Sequence, residues 1–226
     1  MDYFRKLCFI IALVVCFEAH SQNNWEGLQI EITSGYRKNK IDNDDLYGVS
    51  SGGVTSFQNS VTDVSNSNIS YTIGIGYGFS VSDKALVTVG LDYLPQTWKS
   101  AAFEVGTNSA YYKYKNQFNV YVAPGWLLGE SDLLYSKVGY SRVTAQGFGS
   151  NPFNDIGNPS NNLSGYVLGL GVKHSINSRF YVLGDYAYYK FSKGKISGYD
   201  SSTTLTDYIN TGMTNQVLSI GLGVKF

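Results

Sequence analysis

The chain has 226 residues, a length that suits a single domain, and its 17 basic and 17 acidic residues give a formal net charge of zero. This balance gives no indication of a nucleic-acid partner, which a basic surface would attract. Tyr (19), Phe (12) and Gly (25) are abundant, and only 15% of the residues are charged. This composition favours a β-protein with two differently solvated faces over a soluble helical enzyme.

The first 21 residues have the pattern of a cleaved signal peptide. Arg5 and Lys6 precede an unbroken apolar run from Leu7 to Phe17, and Ala19-His20-Ser21 supplies a small-x-small cleavage site. The run, about 11 residues long, is too short to cross a bilayer as a helix, which disfavours the alternative of an uncleaved anchor. We therefore predict a signal peptide at 1–21 and one β-barrel domain at 22–226.

Both cysteines, Cys8 and Cys16, lie inside this leading segment. Lipidation of Cys16 is an alternative, but the residue before a lipidated cysteine is normally small, and Val15 is not. Cleavage after Ser21 leaves a mature chain without cysteine and therefore without a disulfide.

Period-two alternation of side chains recurs through the rest of the chain and predicts β-strands. Between Ile69 and Val81, large apolar residues alternate with Ser, Thr and Gly, so one strand face is apolar and the other small or polar. No stretch after residue 22 has 18 consecutive apolar residues, so no transmembrane helix is predicted. The alternation predicts eight strands, near residues 26–36, 69–81, 85–94, 111–126, 133–144, 164–174, 179–191 and 215–226.

The connections between these strands alternate between long and short. The short ones, near 82–84, 127–132 and 175–178, carry turn residues, whereas those near 37–68, 95–110, 145–163 and 192–214 are rich in Ser, Asn, Gly and Asp. A soluble sandwich has no reason to segregate its loops, but a transmembrane barrel has short turns on one side and long loops on the other. We therefore predict an all-β fold, a closed antiparallel transmembrane β-barrel of eight strands.

Aromatic residues near the strand ends predict two belts at the two membrane interfaces. Trp25, Trp126, Phe180 and Phe226 fall on the short-turn side, and Tyr36, Tyr93, Tyr140 and Tyr188 fall near the long loops. Pro124 departs from the pattern, because proline cannot donate to a β-ladder. We expect a bulge or the end of pairing there.

Several charged residues fall on the small, polar face of the predicted strands, which is expected to face the lumen. A charge that faced lipid would cost about 2–4 kcal/mol at the bilayer midplane. An eight-stranded barrel is only wide enough to be filled by side chains, so we expect a polar network, centred on Glu31, Lys137 and Asp185, that plugs the barrel. A narrow ion pathway is the alternative. The inward charges are Glu31, Asp92, Lys113, Lys115, Lys137, Lys173 and Asp185.

The last strand has the most specific local pattern. Leu218, Ile220, Leu222, Val224 and Phe226 alternate with small or polar residues, and the sequence stops at the aromatic ring. Here the chain resembles small bacterial outer-membrane β-barrels of the OmpA/OmpX-like superfamily, over essentially the whole mature chain. The resemblance implies a place in the outer-membrane bilayer, and it implies that the barrel-assembly machinery reads the terminal strand at Phe226.

Residues with catalytic or ligand-binding potential are few. The Gly-x-Gly runs at 74–76, 169–171 and 221–223 lie within strands and not at a strand-to-helix turn, so they predict space for bulky lumenal neighbours and not a phosphate site. The one mature histidine, His174, lies beside a short turn, and no Ser-x-His or His-Asp pairing is visible. Asp42-Asn43-Asp44-Asp45 lacks the Gly and the distal Glu of a calcium loop, which favours a solvated acidic surface.

No catalytic residue, cofactor or metal is predicted. Trp98, Phe103, Phe148 and Phe153 lie in the long loops, where they pack the loops together or contact an outside partner. The leading hypothesis is a structural or surface-interaction barrel that meets an extracellular ligand or protein through its loops. The alternatives are a narrow pore or transport accessory and an outer-leaflet enzyme.

Overall fold

The computed structural model describes residues 24–44, 46–50, 52–53, 55–59, 64–105, 108–149, 160–200 and 205–226. The predicted signal peptide with Cys8 and Cys16 lies outside these residues, as do Asp45, Phe153 and the side chains of Phe103 and Phe148. None of the described residues belongs to a helix long and apolar enough to cross a membrane.

The described chain forms eleven β-strands in one antiparallel sheet. They are β1 (Gly27–Asn43), β2 (Leu46–Val49), β3 (Thr55–Asn59), β4 (Val64–Ser80), β5 (Ala85–Leu94), β6 (Trp98–Val105), β7 (Asn108–Leu127), β8 (Asp132–Gly149), β9 (Ser160–Ser175), β10 (Phe180–Asp200) and β11 (Leu205–Lys225).

Eight of these strands close into a barrel. The ring runs β1, β4, β5, β7, β8, β9, β10 and β11, and β11 pairs back with β1. At this seam, Ile30 of β1 is paired with Val224 of β11 on one side and with Ile75 of β4 on the other. Closure gives the backbone N–H and C=O groups partners without leaving an open sheet edge. The prediction of a closed, eight-stranded antiparallel barrel is confirmed.

The three short turns have the chemistry that the sequence predicts. Gly129, between β7 and β8, has a φ of 124°, a conformation that favours glycine. After β9, the Asn177 side-chain oxygen accepts hydrogen bonds from the backbone N–H groups of Arg179 and Phe180, both at 2.9 Å. Such side-chain bonds hold a tight reversal without further residues.

Three of the four predicted long connections, 37–68, 95–110 and 192–214, contain paired strands in the described residues, so the predicted strand ends on that side are too early. β10 and β11 are 21 residues each and stay paired up to Asp200 and Leu205, across most of the predicted 192–214 loop. The β2–β3 hairpin and β6 occupy parts of two other predicted loops. The physical reason is visible in β11, where inward Thr211 and Asn215 are as polar as outward Gln216. Backbone pairing persists there although the alternation in hydropathy disappears.

A bulge in β7 overturns the predicted direction of Lys113 and Lys115. Asn116 has a φ of 54°, and the register against β8 shifts between Lys115 and Phe118. One extra residue reverses the side-chain alternation beyond it. Tyr112 and Tyr114 are therefore buried inside the barrel, and the two lysines take the outward positions.

The bulge expected at Pro124 is not found, because the irregularity of β7 lies at Asn116. Pro124 is paired with Val87 of β5, and β7 continues to Leu127. On the β8 side the ladder is interrupted between Val122 and Gly125 and resumes in the same register. The missing donor of Pro124 therefore breaks the pairing locally without ending the strand.

The outer surface of the barrel has an apolar band that begins at the short turns. Ile32, Leu170 and Ile220 are 62%, 63% and 74% exposed, whereas their sequence neighbours Glu31 and Ser219 are buried inside. Exposed aromatic residues border the band at both ends. They are Trp126, Phe180 and Phe226 on the short-turn side and Tyr36, Tyr93, Tyr140 and Tyr166 on the other.

The prediction that Trp25 belongs to the outer belt is wrong. Its side chain is fully buried and meets the ring of Tyr181 edge-on, with the ring centroids 5.3 Å apart. The chain turns at Gly27, which has a φ of 97° and begins β1. Strand alternation therefore does not extend to Trp25, and the indole closes the lumen at the short-turn end.

Candidate functional site

The lumen contains an ion-paired cluster around Lys137 of β8. Its Nζ lies 3.1 Å from Asp92 Oδ2 on β5 and 3.7 Å from Asp185 Oδ2 on β10. The same ammonium lies 4.3 Å from the centroid of the Tyr121 ring. Asp185 also accepts hydrogen bonds from the hydroxyls of Ser219 and of Tyr135, the latter at 3.3 Å. Both carboxylates therefore have donors, as buried charges require.

A second cluster lies closer to the short turns, around Lys173 of β9. Its Nζ donates to Glu31 Oε1 at 2.5 Å and to Gln29 Oε1 at 2.7 Å. Tyr181 donates its hydroxyl proton to the same Glu31 oxygen at 2.7 Å. The structure thus places all five predicted network residues in the lumen, but the direct partner of Glu31 is Lys173 and not Lys137.

A third interior cation, Arg37 of β1, was not among the predicted residues. Its side chain is fully buried, its Nη1 donates to Gln117 Oε1 at 2.9 Å, and its guanidinium carbon lies 4.5 Å from the centroid of the Trp98 ring. The sequence signal was available, because Arg37 follows Glu31 at an even spacing and shares its inward face. Arg37 was missed because the first strand was predicted to end at Tyr36.

In the described residues, the interior cations outnumber the interior carboxylates by one. Three carboxylates, Glu31, Asp92 and Asp185, accompany four cations, Arg37, Lys137, Lys173 and Lys225, and each of these side chains is at most one-tenth exposed. Lys137 and Lys173 are ion-paired, whereas Lys225 Nζ donates to the backbone oxygen of Asn24 at 2.9 Å and to Ser175 Oγ at 3.0 Å. Hydrogen bonds to neutral oxygens therefore offset part of the cost of burying Lys225. The ion pairs of Lys137 and Lys173 join strands across the lumen.

Apolar side chains close the lumen on both sides of these charges. The layer at the short-turn end consists of Trp25, Leu86, Leu133, Tyr181 and Leu183. The layer at the other end consists of Ile41, Trp98, Tyr112, Tyr114, Val143, Ala145, Leu163, Val167, Ala187, Tyr189, Phe191, Met213 and Val217.

Little free volume remains between the two layers. Two cavities of about 10 and 20 Å³ lie beside Lys137, each of a size that holds about one water molecule. Lumenal glycines make this packing feasible, because a Cβ atom on Gly171 or Gly223 would meet the ring of Tyr135 or Tyr181. The interior charges therefore belong to a filled lumen.

His174 has a partner that the sequence did not reveal. Its Nδ1 lies 2.8 Å from Asp132 Oδ1, across the β8–β9 pair and beside the short turns. The expectation of no His-Asp pairing is wrong, because the two residues are 42 positions apart and only strand pairing joins them. Both side chains are more than half exposed. In the residues that the structure describes, this pair included, no group of three or more His, Cys, Asp or Glu could hold a metal ion.

The acidic run after Ile41 is bound by a lysine from the opposite hairpin. Lys193 Nζ lies 2.5 Å from Asp44 Oδ1 and 3.5 Å from Asp42 Oδ1. The hydrogen bond from Lys193 lowers the pKa of Asp44 below its usual value. Asp44 therefore stays ionised at neutral pH and joins the outer ends of β1 and β10.

Comparisons with known proteins agree on one family and one fold. A family model described as "Outer membrane protein beta-barrel domain" matches residues 9–226. The outer membrane protein OprG from Pseudomonas aeruginosa is similar over 91% of this chain and 98% of its own, with 17% identity and a TM-score of 0.60. The outer membrane protease OmpT from Escherichia coli is similar over 89% and 97%, with 11% identity and a TM-score of 0.52. At these identities, the structural likeness shows the fold alone. A search of curated proteins gave no match.

Proposed function

Because this chain belongs to the outer membrane protein β-barrel domain family and lies in the bacterial outer membrane, we propose that it is a closed barrel that acts through surface interaction. The interacting part is the outer extension, defined as the strand segments beyond the outward-facing Tyr36, Tyr93, Tyr140 and Tyr188, together with β2, β3 and β6. The observation that carries the proposal is that this extension continues the barrel and has its own packed core.

The length of the strands supports a projecting extension. A tilted transmembrane strand needs about 9–11 residues, whereas β10 and β11 have 21 residues each. On β11, the outward residues change from the exposed Leu218 to the polar Gln216 and Thr214. About half of each strand therefore stands in water beyond the apolar band.

The packing of the extension supports a stable platform for recognition. Trp98 stacks on Tyr114 with the ring centroids 5.6 Å apart, and Tyr189 stacks on Phe191 at 6.4 Å. Such apolar contacts inside the barrel order the segments that carry the exposed hairpins. A preformed surface loses less conformational entropy when it binds a partner than a disordered loop does.

The filled lumen favours this function over a pore. Ion conduction needs a continuous wet path, but the ion pairs of Lys137 and Lys173 lie between two apolar layers that fill the lumen. An enzyme is also disfavoured, because the His174–Asp132 pair is at the short-turn end, away from the outer leaflet. The likeness to the protease OmpT concerns the fold and supplies no catalytic residue.

A conductance measurement tests the pore alternative. We expect residues 22–226, refolded and inserted into a planar bilayer, to show no steady conductance, because the side chains around Lys137 and Lys173 and the two apolar layers fill the lumen in the described part of the chain. A steady conductance whose ion selectivity changes in Lys137→Gln, while the barrel remains folded, would instead establish a pore. The control is Lys84→Gln, which changes an exposed lysine in the first short turn.

Trimming the longest hairpin tests the interaction itself. We expect cells that display the full chain to bind at least one member of a panel of glycans and extracellular proteins. A variant in which residues 199–206 are replaced by a two-residue Asn-Gly turn should lose that binding and keep a heat-modifiable barrel. The proposal fails if the trimmed barrel binds the same panel members equally well, or if the full chain binds none.

We also propose that the barrel-assembly machinery reads the terminal strand at Phe226. Its ring is 73% exposed, and its backbone N–H donates to Leu28 at the β1–β11 seam. Phe226→Ala should lower the amount of barrel assembled in cells but leave refolding into detergent nearly unchanged. Phe180→Ala removes another exposed aromatic at the same end and is the matched control. Equal cellular losses in the two variants would contradict this role.

A further inference from the structure

Three strands repeat the same outward pair at the outer edge of the apolar band. Tyr36 and Lys38 on β1, Tyr140 and Arg142 on β8, and Tyr188 and Lys190 on β10 each have a tyrosine followed two positions later by a cation. Since side chains alternate along a strand, both members of each pair face outward, and the cation lies about 7 Å beyond the tyrosine. The sequence repeats the pair as Tyr-x-Lys, Tyr-x-Arg and Tyr-x-Lys.

These cations lie on one wall of the barrel. Lys190 is paired with Thr214, which is paired in turn with Lys40, so one cross-strand row joins β10, β11 and β1. Arg142 is paired with Ser164 of β9, whose neighbour on the other side is β10. We call Lys38, Arg142 and Lys190 the cationic band.

Neighbouring strands of this wall are about 4.8 Å apart. Since the three cations lie on alternate strands, β8, β10 and β1, the cationic band has steps of about 10 Å around the barrel. On β4, the residue paired with Lys38 is Ser67, so the band ends at that strand.

In the described parts of the chain, no carboxylate neutralises the three cations of the cationic band. Lys38, Arg142 and Lys190 are exposed, and none of them makes an ion pair with a carboxylate in the described parts of the chain. The acidic residues further out on β1, Asp42 and Asp44, are already bound by Lys193. Three exposed cations therefore lie just outside the tyrosine belt, at the depth of the bilayer where lipid head groups carry their phosphates.

We propose that the cationic band binds the phosphate groups of outer-leaflet lipids. The tyrosines hold the acyl-chain boundary, and the flexible Lys and Arg side chains reach the phosphates above it. Arg142 can donate two parallel N–H bonds to one phosphate, whereas the lysines act as point charges. The bound lipids then form an ordered row along the β8-to-β1 wall, below the outer extension.

The test compares two charge changes on the refolded barrel in detergent micelles. Arg142→Gln with Lys190→Gln removes two charges of the cationic band, and Lys84→Gln with Arg179→Gln removes two exposed charges at the short turns. The probe is bis-phosphorylated lipid A, with fully dephosphorylated lipid A as its comparison. The readout is the amount of lipid retained in native mass spectra, measured after heat-dependent gel mobility has shown that each variant is folded.

We expect the unchanged protein and the short-turn variant to retain bis-phosphorylated lipid A roughly tenfold more tightly than the dephosphorylated form. The cationic-band variant should lose this preference, and the charge-retaining Arg142→Lys with Lys190→Arg should keep it. Equal preference in the band variant and the short-turn variant would overturn the proposal. Full displacement of the lipid by inorganic phosphate at equal phosphate concentration would also overturn it, because the site would then bind a soluble anion.

Discussion

Replacing Lys137 with methionine is expected to lower the free energy of unfolding by about 3–5 kcal/mol, the usual result of removing one partner from a buried ion pair. The change leaves Asp92 and Asp185 in the lumen without the ammonium that lies 3.1 and 3.7 Å from them. Because methionine keeps most of the side-chain volume, the lost stability measures the removal of the charge and not the creation of a cavity. Urea titration of the refolded barrel in lipid vesicles measures it.

Two companion variants make this result specific. Lys84→Met, at an exposed turn position, should change the free energy of unfolding by less than about 0.5 kcal/mol. Adding Asp92→Asn to Lys137→Met should recover part of the loss, because Asp185 keeps the hydroxyl donors of Ser219 and Tyr135. A Lys137→Met barrel as stable as Lys84→Met would contradict the interior network. Such a result would favour a hydrated lumen, in which the charge is already solvated.

Gly223→Val should destabilise the barrel by about 1–3 kcal/mol, as overpacking of a filled interior generally does. Tyr181 on the neighbouring strand β10 is paired with Gly223, and its ring lies over the glycine inside the lumen. A side chain at Gly223 would therefore collide with the ring of Tyr181. The displaced ring would also lose its 2.7 Å hydrogen bond to Glu31. The loss is measured as a lower urea midpoint and a lower temperature for the gel-mobility shift.

Gly184→Val is the matched control on the adjacent strand. A Cβ atom there meets nothing nearer than the Ser219 backbone oxygen at 3.8 Å. Its outward position lets the new side chain project away from the lumen, so Gly184→Val should be nearly neutral. Equal losses in the two variants would mean that strand propensity, and not lumenal space, decides where glycine is required.

The membrane-spanning part of the fold was predictable because the two faces of each strand there lie in different environments. Outward residues such as Ile220 meet lipid, and inward residues such as Ser219 meet other polar groups, so the alternation appears directly in the sequence. On β11, the outward side chains between Leu218 and the outer end of the strand are in water. The inward residues Thr211 and Asn215 of the same segment are polar as well. The outer extension was therefore predicted as loop, although its strands are paired.

Single-residue irregularities also escaped prediction. The bulge at Asn116 reverses every side chain of β7 beyond it, which exchanged Lys113 and Lys115 for Tyr112 and Tyr114 in the lumen. No local signal of comparable strength marks that position, since asparagine occurs in many loops of this chain. Trp25 was misplaced for a related reason, because Gly27 turns the chain before strand alternation begins.

The sequence by itself determined which side chains face inward within each membrane-spanning strand, because that depends only on alternation along one strand. It therefore identified Glu31, Asp92, Lys137, Lys173 and Asp185 as lumenal residues. Only the tertiary structure decided their partners. Glu31 meets Lys173, 142 residues away, because barrel closure and strand register bring β1 opposite β9 across the lumen. Distances across a closed barrel depend on the register of all eight strands together, and no local pattern in one strand contains that information.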